Sequence, residues 1–153
     1  MNLERARVAG PALLERIAFR GHPMVLALHP TTIEITTDDH LTKRGDCIVG
    51  VGADKGCAGL AAETKLALSR ADSKVLFRLV VGGESFDFVG RGDPRLTLTN
   101  PHDMVIRRSD YVSDRTLAVR ATAAAKDMPR PMVRLLKDPN ATGYLEIGVG
   151  GFD

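Results

Sequence analysis

Residues 20–55 read RGHPMVLALHPTTIEITTDDHLTKRGDCIVGVGADK, and residues 91–126 read RGDPRLTLTNPHDMVIRRSDYVSDRTLAVRATAAAK. Laid over each other at a constant offset of 71, they share nine identities in 36 positions. These are Arg20/Arg91, Gly21/Gly92, Pro23/Pro94, Pro30/Pro101, Ile35/Ile106, Asp39/Asp110, Arg44/Arg115, Ala53/Ala124 and Lys55/Lys126. Average composition gives roughly one chance identity in seventeen positions. The stretch therefore reads as two tandem copies of about 70 residues, spanning 14–83 and 84–153. A unit that small buries a thin core by itself, so two copies sharing one core is the expected arrangement. Residues 1–12 read as an N-terminal extension and 13–153 as a single domain.

Outward from the repeat, hydrophobic periodicity gives the elements. Leu14–Arg20 reads as a strand with Ile17 and Phe19 on one face. The apolar run Met24–Leu28 reads as a strand buried on both faces. Thr31–Thr36 alternates, which sends Ile33 and Ile35 inward and Thr32, Glu34 and Thr36 outward. Cys47–Val51 reads as a strand, Leu60–Arg70 as a helix burying Leu60, Ala61, Thr64, Ala67 and Leu68, and Ser73–Val81 as a closing strand. The second copy repeats the order. It gives strands at Phe86–Val89, Arg95–Thr99, Asp103–Arg107 and Thr116–Arg120, and a helix with apolar face Met128, Met132, Leu135 and Leu136. Its last strand has Leu145, Ile147 and Val149 matching Val75, Phe77 and Leu79 at an offset of 70. Strands dominate without a βαβ rhythm. The expected fold is α+β, a β-rich sandwich or barrel with one helix per copy and a pseudo-two-fold axis.

The formal net charge of +2 is spread over both halves, which argues against a dedicated nucleic-acid binder or a polybasic membrane surface. Two cysteines ten positions apart make no disulfide framework, so a reduced, cytoplasmic protein is expected. No stretch has the length of a signal peptide or a membrane span. The absence of Gln and the presence of only three Asn point to a heat-adapted protein.

The segments RGHP (Arg20–Pro23), LTKRGDCIVGVGADKG (Leu41–Gly56), RGDPRLTLT (Arg91–Thr99) and RRSDYVSDRTL (Arg107–Leu117) are similar to an archaeal family of unknown function. The resemblance runs from about Phe19 to the last strand. It implies a mainly β fold, an intracellular setting and an archaeal source, and it brings no activity or catalytic residue.

Candidate chemistry gathers where the copies differ. The loop from Gly50 to Gly59 joins a strand to a helix, where backbone N–H groups can hold an anion and Lys55 can add charge. Its spacing matches neither a dinucleotide fingerprint nor a P-loop, so a tight connection is the competing reading. The expected ligand groups are Gly50, Gly52, Lys55 and Gly56, with Arg115 as a clamp and His22 or Asp54 handling a proton. Asp39 with Arg44 and Asp110 with Arg115 read as loop braces. If the matching turns meet at a two-fold axis, His22, Asp93, His102 and Asp103 converge there, but turn capping beside proline is the expectation, and no metal is assigned. Cys47 reads as a small core residue and Cys57 as a thiol near a helix start, where a thiolate is favoured. The expected function is binding or turnover of a small anionic ligand, with no cofactor and with a homodimer compatible. An RNA- or ribosome-associated module using the arginines of the second half is the alternative, and a structural protein without chemistry the third reading. The arginines are many there, but exposed aromatics for base stacking are few.

Overall fold

The computed structural model describes residues 12–41 and 45–149. The chain is α+β and mostly strand. In order it runs β1 (Ala12–Arg20), β2 (Thr32–Thr36), β3 (Ile48–Gly50), α1 (Ala62–Leu68) and β4 (Lys74–Val81). Then follow β5 (Glu84–Arg91), β6 (Asp103–Arg107), β7 (Thr116–Ala118), α2 (Arg130–Leu136) and β8 (Thr142–Val149). One 3-10 turn precedes each helix, at Cys57–Gly59 and Ala125–Asp127. Residues 1–11 of the expected extension lie outside the described residues, and Ala12 already belongs to β1.

The strands form two four-stranded sheets, ordered β1-β8-β4-β5 and β3-β2-β6-β7. The first is antiparallel throughout. In the second, β2 and β6 pair antiparallel at the centre, and β3 and β7 flank them in parallel. The sheet edges are stitched together. Arg20 and Val51 exchange both backbone hydrogen bonds (2.7 and 2.9 Å), and Arg91 and Val119 do the same (2.8 and 3.0 Å). The eight strands thereby close into a ring, which removes the open edges that invite aggregation.

The core follows from period-two alternation. Ile17, Phe19, Val75, Phe77, Leu79, Leu145 and Ile147 from the first sheet meet Ile33, Ile35, Met104, Ile106 and Leu117 from the second, all at most 2% exposed. Each such side chain contributes about 1.5–3 kcal/mol on burial. Leu68, Met128, Met132 and Leu136 bring the helices onto that core.

Several local expectations are corrected. Met24–Leu28 is not a strand. His22 turns the chain there, accepting the Met24 N–H at Nδ1 and the Val25 N–H at its carbonyl. Val25 and Ala27 point inward while Leu26 and Leu28 are exposed, with Ala27 at φ 51°. The free carbonyls are taken by Arg130 and Lys137, the latter donating to Val25 O at 2.6 Å. Arg95–Thr99 is likewise non-strand, with Leu96 and Leu98 inward and Leu98 at φ 53°. Thr32, Glu34 and Thr36 point away from the core, yet all three are buried. Arg115 and Cys47 reach Glu34 across that outer surface. In α1, Ala61 and Ala67 are not buried. In α2, Val133 takes the buried place expected for Leu135, which is 42% exposed. The last strand begins 68 residues after β4 rather than 70.

Candidate functional site

The glycine loop is packed against its own chain. A side chain at Gly50 would collide with the ring of Phe19, and one at Gly56 with the backbone at Pro101 and His102. Gly52 sits at φ 59° under the guanidinium of Arg20, a conformation that glycine adopts without the Cβ penalty. Lys55 turns back to the buried Glu15 of β1, at 2.7 Å. Glu15 also accepts from the Ala61 N–H (3.1 Å) and the Thr64 hydroxyl (2.6 Å), so its carboxylate satisfies the start of α1. Burial pushes Glu15 up, but the bonds from Lys55, Thr64 and Ala61 outweigh it and hold its carboxyl below the ordinary value. The anion that this helix start accepts is thus supplied by the chain, from outside the loop. Asp54 is exposed and exchanges hydrogen bonds with the Ala18 backbone.

Arg115 lies on the outer surface of the second sheet, between Glu34 (3.4 Å) and Asp103 (3.3 Å). Asp110 does not pair with it, because the Asp110 carbonyl accepts from Arg95 while its side chain stays exposed. Arg44, the expected partner of Asp39, lies outside the described residues. Burial pushes Glu34 above its ordinary value, only partly offset by Arg115. It also pushes the Cys47 thiol up to about 11, helped by Glu34. Cys57 is fully buried, and burial pushes it up to about 12, so the thiolate expected at that helix start is disfavoured.

His22 and His29 serve as turn caps, whereas the His102 ring bonds the Thr37 hydroxyl at 3.0 Å. His29 Nδ1 accepts from the Thr31 and Thr32 N–H groups, as Asn100 Oδ1 does from His102 and Asp103. His22 and Asp93 each accept the N–H two residues on, and the Arg95 guanidinium holds Asp93 at about 2. Among the described residues, no group of three His, Cys, Asp or Glu is arranged to hold a metal. Nor does any hydrogen bond or ion pair there join His22, Asp54, Lys55 and Arg115 to one another.

The open surface lies instead on the outer face of the first sheet. Strand register lays it out in rows. Arg16, Glu146, Arg78 and Asp87 form a ladder of alternating charge across all four strands, with ion pairs of 2.8 Å (Arg16–Glu146) and 2.7 Å (Arg78–Asp87). Beside it runs an apolar row, Leu13, Gly148, Leu76 and Val89, that lines a trough of about 420 Å³. One step further along β4 and β5, Lys74 stands directly opposite Arg91. Both line a groove of about 620 Å³ against α1, together with Leu66, Glu63, Arg70 and Asp72. Asp72 is held by Arg120 at 2.8 Å. Among the described residues no carboxylate pairs with Arg70, Lys74 or Arg91.

These cations were legible. The β4–β5 hairpin turns at Gly82-Gly83, and counting outward from that dipeptide sets Lys74 opposite Arg91. The Arg20/Arg91 identity instead directs attention to Arg91 as a shared element of fold.

Residues 17–150 match the family described as Domain of unknown function (DUF371). The chain is also 42% identical over 122 residues to Uncharacterized protein MJ0206 of Methanocaldococcus jannaschii, covering 80% of this chain and 90% of that protein. The chain belongs to this family. The DUF371 match takes in both helices and all the strands apart from the first part of β1, so most of the charge ladder, the trough and the basic groove falls inside it. Leu13, Leu14 and Arg16 alone among the lining residues precede it. No helix among the described residues is long and apolar enough to cross a membrane.

Proposed function

We propose that the protein binds a small anion in the groove between α1 and the β4–β5 hairpin, with Arg70, Lys74 and Arg91 as the binding groups. One observation carries this reading. Lys74 and Arg91 are directly opposed on neighbouring strands, an arrangement that costs stability unless negative charge sits between them. Arg70 lines the same groove and adds a third cation. The glycine loop gives weaker support, since Glu15 already takes Lys55 and the start of α1. Arg115 is similarly committed to Glu34 and Asp103.

An RNA-binding reading has less behind it. Arg95 pairs with Asp93, Arg120 with Asp72 and Lys126 with Asp127. Arg107 bonds Thr116 and stacks on Tyr111 at 4.9 Å, and Arg130 serves backbone carbonyls.

We also read the chain as two tandem units related by a pseudo-two-fold. Both halves run through the same element order. Positive φ recurs at Ala27 and Leu98, 71 apart, and at Gly52 and Arg120, 68 apart. Under this reading three residues are missing before β7, and Lys126 corresponds to Ala58 rather than to Lys55.

The test is calorimetric titration with inorganic phosphate at low salt. Lys74→Thr is expected to weaken binding about tenfold, equivalent to about 1.4 kcal/mol. Unchanged affinity in that variant removes the groove from consideration.

A further inference from the structure

We infer that the ligand is amphipathic: a phosphate or carboxylate head joined to a short apolar body, lying across two rows of the first sheet. This inference rests on the anion reading above and adds the class of molecule.

The argument is the order of the rows. Lys74 and Leu76 share a face of β4, and Arg91 and Val89 share the same face of β5. Lys74 and Arg91 of the basic groove therefore adjoin Leu76 and Val89 of the apolar trough. At the middle of the trough Gly148 faces Leu13 on one side and Leu76 on the other, so a side chain is missing where the row would otherwise be filled. Leu13 is 56% exposed beside that gap. The far wall is the ladder Arg16–Glu146–Arg78–Asp87, in which each cation already has its carboxylate. That wall offers no unpaired charge, so polarity is fixed. The anionic head belongs at Lys74, Arg91 and Arg70, and the apolar body belongs over Leu76 and Gly148. Residues two apart on a strand are about 7 Å apart, so the body reaches the ladder after about two rows, roughly 13 Å from the head. A linear chain of about six to eight carbons fits that span.

The experiment is titration of the full chain with inorganic phosphate and with butyl, hexyl and dodecyl phosphate below their micelle concentrations. Affinity is expected to rise about twofold per methylene, half the full transfer effect for a trough open on one side, and to level off between hexyl and dodecyl. Gly148→Val, which fills the gap, and Leu76→Ser, which makes the floor polar, should each abolish the gain while leaving phosphate affinity unchanged. Either variant suffices if the other fails to fold. If phosphate binds and hexyl phosphate binds no better, the amphipathic ligand is overturned and the anion site stands. If neither binds, both fall. Binding to phosphatidate-containing vesicles without binding to hexyl phosphate would overturn the inference in favour of a membrane surface. Single-stranded RNA that displaces phosphate, with no gain for hexyl phosphate, would overturn it in favour of nucleic acid.

Discussion

The two ends of the first sheet's outer face differ in chemistry. At one end stand Arg70, Lys74, Leu76 and Arg91. Under the two-fold reading, the other end carries Asp138, Thr142, Tyr144 and Arg20 at the matching positions, 68 residues on for the first three and 71 back for the last. Three cations and a leucine face one cation, one acid, one hydroxyl and a tyrosine. Arg16 lies 5.5 Å over the Tyr144 ring, covering that end with the chain's own side chain. Between the ends the charge ladder is nearly symmetric, with Arg16–Glu146 balanced by Arg78–Asp87. On the two-fold reading the ladder is needed twice, and an unbalanced charge only where something else binds, so the difference between the ends is what the proposed anion site rests on.

The helices repeat the lesson. Glu15, Thr64 and Lys55 form a polar knot at the start of α1, whereas under the two-fold reading the matching positions beside α2 are Phe86, Met132 and Ala123. The largest expected effect follows from that knot, which holds the helix flanking the basic groove. Glu15→Gln should lower unfolding free energy at pH 7 by about 3 kcal/mol in urea titrations, because it strands Lys55 half-buried and weakens the cap. Glu15 titrates below its ordinary 4.5 in the folded state, so its contribution is complete above that pH. It is lost as pH falls through the folded value, and the gap between wild type and variant should close there. A gap that persists in acid would mean that shape rather than charge sets the cost.

Next in size is an exchange of the two ends. Arg70→Asp with Lys74→Thr should reduce phosphate affinity about a hundredfold, as two tenfold losses. The reciprocal change, Asp138→Arg with Thr142→Lys, should raise the calorimetric stoichiometry from one site to two. One site in that variant would show that charge placement alone does not make the site. The smallest effect is on stability. Lys74→Thr should gain about 0.5 kcal/mol at low ionic strength by relieving the opposed cations. The gain should vanish in high salt or saturating phosphate. A destabilised variant would mean that the pair is not under strain.

Much of the architecture was readable from local pattern. β6 falls at Asp103–Arg107 as expected, and the core faces of β1 and β4 are those expected. Met24–Leu28 misled because an unbroken apolar run describes a loop with one side on the core as well as a strand covered on both faces. The burial of Glu34 was hidden because Arg115, which covers it, lies 81 residues away. The knot at Lys55 was hidden for a related reason. Its carboxylate, Glu15, sits 40 residues upstream of it and precedes the matched stretches. The repeat at a constant offset of 71 allows no gap. Past β6 the element spacing is 68, so under the two-fold reading Lys55 falls opposite Ala123 rather than Lys126.

The claim that one end of this face binds an anion and the other does not is tested most directly by backbone amide NMR during titration with hexyl phosphate. Saturable shifts at Lys74, Leu76, Arg91 and Gly148, with Arg20, Thr142 and Tyr144 unmoved, are the predicted result. Equal shifts at both ends, or none at either, would contradict it.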